Sequence, residues 1–124
     1  MKRFLPWLVC AIGLAALVAP ATAATYPVSG KWGLSSDSKP GAIDCTGKRI
    51  VAFNGNQRTD SGGGVPAYRN RSVAQQSSSS WRIVDVFTTG QINDAHTTYT
   101  LQQLDPDRIE MQMQGGTLKL QKCK

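Results

Sequence analysis

His96 is the one histidine in the sequence, and Asp94 stands two residues before it. A carboxylate that orients an imidazole can make a general base. Nucleophilic catalysis also needs a serine or threonine held beside that base, and no motif marks one among the many here. His96 is therefore read as a polar residue in a turn. Asp105 and Asp107 flank Pro106. A glycosidase needs two carboxyl groups about 5–9 Å apart, whereas aspartates around a proline are ordinary turn formers. Gly62-Gly63-Gly64 lacks the Lys-Ser/Thr that completes a phosphate loop. No catalytic residue, cofactor or metal is assigned, and the chain is read as a non-enzyme.

The cysteines carry more information. Met1-Lys2-Arg3 is a basic start, Phe4 to Val18 is apolar, and Ala21-Thr22-Ala23 supplies a small-x-small cleavage pattern. Residues 1–23 are thus expected to be a signal peptide, which places the protein in the periplasm or outside the cell. Cleavage takes 124 residues to 101, lowers the net charge from +6 to +4, and removes Cys10. Cys45 and Cys123 remain, and two thiols in a small exported domain pair. A redox pair uses C-x-x-C spacing. A zinc site needs about four ligands, and two Cys with one His fall short. Cys45–Cys123 is expected to be a structural disulfide. No stable membrane anchor is expected after cleavage.

Candidate binding residues follow from the aromatic positions. In Trp81-Arg82-Ile83-Val84-Asp85-Val86-Phe87, Asp85 shares the parity of Trp81, Ile83 and Phe87. A regular strand would turn that carboxylate inward, where it needs a partner; Arg108 and Arg49 are the candidates. A β-bulge would turn it to water instead. Trp32, Trp81, Asp85 and Phe87 are expected near an internal cavity. Tyr68 lies in Val65-Pro66-Ala67-Tyr68, flanked by Arg58, Arg69 and Arg71, and is expected at the tip of a binding loop. The basic residues are scattered, and no nucleic-acid motif is present, so nucleic acid is not expected as a partner.

The elements that must position these residues have a period of two, with no helical window. Ile109, Met111 and Met113 alternate with Glu110, Gln112 and Gln114, and Leu118 and Leu120 alternate with Thr117 and Lys119. Gln114-Gly115-Gly116 and Leu104-Asp105-Pro106-Asp107 read as turns. Strands are expected near 28–34, 50–53, 81–88 and 97–104. Residues 24–124 are therefore expected to form one all-β domain, a small antiparallel meander barrel or sandwich of six to eight strands closed by one disulfide. Residues 54–80 are rich in Ser, Gly and Gln and are expected to be a long flexible loop, a surface excursion with one strand around Tyr68 to Val73.

Gly30-Lys31-Trp32 resembles the G-x-W signature that opens lipocalin-like barrels. The resemblance implies a Trp packed across the closed end under a late basic residue, here Arg108 or Lys122. Thr97-Thr98-Tyr99 is similar to that family's T-D-Y motif, with Thr98 replacing the Asp. Extended to Gly33-Leu34, the first stretch also resembles small periplasmic inhibitors of bacterial metalloproteases. Those are compact barrels whose N-terminal tail, here Ala24 to Ser29, enters the protease cleft. The whole is most similar to small exported proteins of Gram-negative bacteria. The expected function is binding of a small ligand or an envelope protein. The alternative is an inhibitor or protein-interaction module that uses the N-terminal tail and the Tyr68 loop.

Overall fold

Short alternating runs joined by tight turns leave the chain no way to bury its apolar face except by curling one sheet onto itself. A computed structural model of the chain describes residues 24–36 and 39–124; the expected signal peptide lies outside the described residues. Eight strands follow in order: β1 (Gly30–Leu34), β2 (Ile50–Asn54), β3 (Gln57–Asp60), β4 (Tyr68–Ser77), β5 (Ser80–Phe87), β6 (Ala95–Asp105), β7 (Arg108–Met113) and β8 (Gly116–Lys122). Each pairs antiparallel with its neighbour, and β1 pairs with β8, so the sheet closes into a barrel.

Four connections are two-residue turns, at 55–56, 78–79, 106–107 and 114–115. Gly55 has φ 63°, a left-handed conformation that glycine adopts without steric cost. At the Pro106-Asp107 turn, Asp105 Oδ1 accepts from Asp107 N at 2.9 Å, and Arg108 Nε donates to Asp105 Oδ2 at 2.6 Å.

The core is Trp32, Val51, Phe53, Ile83, Tyr99, Leu101, Ile109, Met111 and Leu120. Tyr26 and Val28 join it from the N-terminal segment. Tyr26 N donates to Gly55 O at 3.0 Å, and the Tyr26 ring meets Phe53 edge-on at 5.0 Å. Ala24 to Ser29 is therefore not the free tail expected of an inhibitor. Two apolar residues at alternate positions bury more surface by docking against the barrel than by trailing in water.

The span 54–80 also departs from expectation. It is strand for most of its length, in β3 and β4, with a connection at 61–67. The inward positions of these strands are Arg58, Asp60 and Asn70. Their polarity hides the strand pattern from any reading that equates inward with apolar. β4 holds its place chiefly by its backbone ladder to β5.

The long β1–β2 connection is tied down at several points. Ile43 bridges to Cys123 in parallel, and Cys45 and Cys123 form a disulfide with their Cα atoms 5.5 Å apart. The sulfur lies against Gly33, where an added Cβ would stand 2.6 Å from Cys45 Sγ. Buried Gln121 donates to Lys39 O and Gly41 O at 2.7 and 2.6 Å and accepts from Ser35 Oγ at 3.0 Å.

Candidate functional site

The barrel centre holds charge. Phe53 on β2 stands opposite Arg58 on β3 across the Gly55 turn, so an inward Phe53 makes Arg58 inward too. Asn70 on β4 stands opposite Asp85 on β5, and Tyr99 on β6 opposite Ile83. These registers converge on one carboxylate. Arg58 Nε donates to Asp85 Oδ2 at 2.9 Å, Tyr99 Oη donates to the same oxygen at 3.0 Å, and Asn70 Nδ2 donates to Oδ1 at 3.2 Å. The Arg58 and Asp85 side chains are 1% and 0% exposed. Asp85 thus takes the inward alternative. Its partner is Arg58, which corrects the expected Arg49 or Arg108. Those two are engaged elsewhere, Arg49 with Asp60 at 2.7 Å and Arg108 with Asp105.

Four buried polar atoms of this centre have no hydrogen-bond partner: Arg58 Nη1, Arg58 Nη2, Asn70 Oδ1 and the Tyr26 hydroxyl. The Tyr26 hydroxyl lies close enough to Asp85 and Arg58 for both to act on it. Burial pushes the Tyr26 and Tyr99 hydroxyls well above the ordinary tyrosine value, the Asp85 charge pushes both the same way against the opposing pull of Arg58, and both stay neutral. Burial alone would lower the Arg58 guanidinium, but the Asp85 carboxylate hydrogen-bonded to it holds it above its usual range, and it stays charged.

The guanidinium carbon lies 3.8 Å from the Tyr68 ring centroid and 5.1 Å from that of Tyr99. That is cation–π geometry, within about 6 Å. Tyr68 in turn meets Phe87 at 5.2 Å with the planes at 63°. Tyr68 and Phe87, both half-buried, line a groove of about 410 Å³ between the β3–β4 and β5–β6 connections, with Pro66, Arg69, Thr88 and Asp94 around it. A ligand site is typically about 300–1,000 Å³. Asp94 sits at φ 52°, a conformation that aspartate tolerates better than most residues.

The structure divides the expected site residues. Tyr68, Phe87 and Asp85 fall in one connected chain of contacts through Arg58. Trp32 does not join them. It is 2% exposed in the core, its Nε1 donates to Ser29 O at 3.1 Å, and Lys122 Nζ lies 5.8 Å above its ring. Trp81 is half-buried against the core from outside the Asp85 network. Trp32 and Asp85 are fully buried, whereas Tyr68 and Phe87 line the open groove. His96 is exposed, and its Nε2 accepts from Arg71 Nη1 at 3.0 Å. Among the described residues no three His, Cys, Asp or Glu side chains converge to hold a metal ion.

Asn70, Tyr99 and Tyr26 are not legible as site residues, and Arg58 is legible only as a flank of the Tyr68 loop. One usable signal existed for Arg58, because a two-residue turn at Gly55-Asn56 fixes its parity to that of Phe53. Compared with protein-family models, curated proteins and solved structures, the chain matches none.

Proposed function

We propose that this chain is an exported, non-enzymatic binding protein whose site is the groove at the barrel mouth. One observation carries the reading. The aromatic pair Tyr68–Phe87 lines a concavity of about 410 Å³. Aromatic rings with a few polar groups at the rim are the usual lining of small-molecule sites. Export is supported by the Cys45–Cys123 bridge, a bond that persists in oxidising compartments. Among the described residues no helix is long and apolar enough to cross a membrane.

The test is a thermal-shift titration of the oxidised protein against a library of small aromatic and aliphatic fragments. A subset should raise the melting temperature, and Phe87→Ala should abolish the shift for that subset. No stabilising fragment, or stabilisation unchanged in Phe87→Ala, would reject the groove as the site.

A further inference from the structure

We infer that the mouth groove leads to a second, polar subsite at the Arg58 guanidinium, covered by Tyr68, and that the ligand carries an uncharged amide. The inference rests on the groove being the binding site and adds the chemistry of what binds. Tyr68 lines the groove and also lies against the guanidinium, 3.8 Å from its carbon. One ring therefore separates open space from a side chain that is 1% exposed with two nitrogens, Nη1 and Nη2, lacking acceptors.

The cover is placed where it can move. Tyr68 is the first residue of β4, which meets β3 in two register pairs, Gln57 with Arg69 and Arg58 with Tyr68, beside a bond from Asn70 N to Asn56 O at 2.7 Å. The connection before it contains Gly62, Gly63 and Gly64, which add backbone freedom.

Charge decides the ligand class. Asp85 already neutralises Arg58, so a carboxylate entering here would leave one buried negative charge without a counter-ion, an expensive arrangement. An uncharged carbonyl oxygen meets the Nη donors without that penalty. Asn70 Nδ2 is committed to Asp85, which leaves its Oδ1 as an acceptor with no donor. Arg58 and Asn70 hold the same Asp85 carboxylate, so their spare donors and acceptor lie in one neighbourhood. A carbonyl beside an N–H is the group that serves both. The Tyr68–Phe87 pair suits an apolar or aromatic body attached to it.

Benzamide, benzoate and benzamidinium share one shape and differ in charge, which makes them the probes. Each is titrated into the oxidised protein while NMR follows the Tyr68 and Phe87 ring signals and the Arg58 Nε–H signal, identified by its loss in Arg58→Lys. Benzamide should bind with a Kd of about 1 mM, a realistic value for a fragment this small. It should shift both the rings and Arg58, and it should bind at least about tenfold tighter than either charged analogue, a difference of about 1.4 kcal/mol. Tyr68→Ala removes the cover together with half of the aromatic pair, so benzamide should bind more weakly but still shift the Arg58 Nε–H signal at saturation. Ring shifts without any change at Arg58 would overturn the subsite, whose donors water would then satisfy, and would leave the groove reading intact. Tighter binding of benzoate would overturn the amide assignment. Benzamide that still binds Tyr68→Ala without shifting the Arg58 Nε–H signal would overturn the cover. If none of the three probes perturbs the groove, both readings fall together.

Discussion

A carboxylate and a guanidinium taken out of water each lose several kcal/mol of hydration, and their attraction repays this only when the geometry is good and the remaining lone pairs are met. Asp85 satisfies that condition with three donors. Arg58 does so only at Nε, with the Tyr68 ring over its face. Removing one partner strands the other, so Arg58→Leu and Asp85→Leu should each cost about 3–5 kcal/mol in urea unfolding. The double variant Arg58→Leu/Asp85→Leu should be more stable than either single one. A double variant as unstable as the two losses combined would show that the charges do not act as a pair. Asp60 supplies the pH dependence. Burial pushes its carboxyl up, but the bonds from Arg49 and Gly62 N outweigh that and hold it below the usual aspartate range. Its stabilising effect is therefore complete above the unfolded aspartate value of about 3.9 and is lost as pH falls through the lower folded value. Urea unfolding between about pH 5 and pH 2 should show a shallower acid decline in Asp60→Asn than in the parent. Equal slopes would mean that Asp60 is not held low.

Strands and turns differ in how plainly the sequence announces them. β7 and β8 alternate apolar and polar residues on either side of Gln114-Gly115, and the structure places Met113 opposite Gly116 as that pattern implies. β3 escapes the sequence pattern, and β4 shows in it only as a strand around Tyr68 to Val73, because Arg58, Asp60 and Asn70 occupy their inward positions and a binary pattern scores those positions as loop. The same chemistry that conceals these two strands builds the polar centre. Asp85 was legible as far as two alternatives, since parity shows which face a residue takes when the strand is regular. Its partner was not, because Arg58 meets it past the intervening β4 and that neighbour depends on the β3–β4 and β4–β5 registers. Tyr68 and Phe87 were singled out for separate reasons, one on a loop and one on a strand. The β4–β5 register, with Arg69 opposite Val86, brings them side by side.

The molecule as a whole is a small closed barrel with one covalent staple. Linking residues 78 positions apart in sequence removes unfolded-chain entropy equivalent to about 4–5 kcal/mol in the loop-closure model. Domain stabilities are typically about 5–15 kcal/mol, so the double variant Cys45→Ser/Cys123→Ser should lose a large share of the total. Paired urea melts of the oxidised parent and the double variant measure it, and coincident curves would show that the bridge adds nothing. The pairing of β1 with β8 has a consequence of a different kind. Seven of the eight strand contacts join chain neighbours and can zip up locally, but Trp32 must find Lys122 near the far end of the sequence. Such non-local pairings slow folding, because chain entropy is spent before the contact is made. With Cys45 already bound to Cys123, that search is confined to a small volume from the outset. The sulfurs therefore set the speed at which the barrel closes as well as how firmly it stays shut.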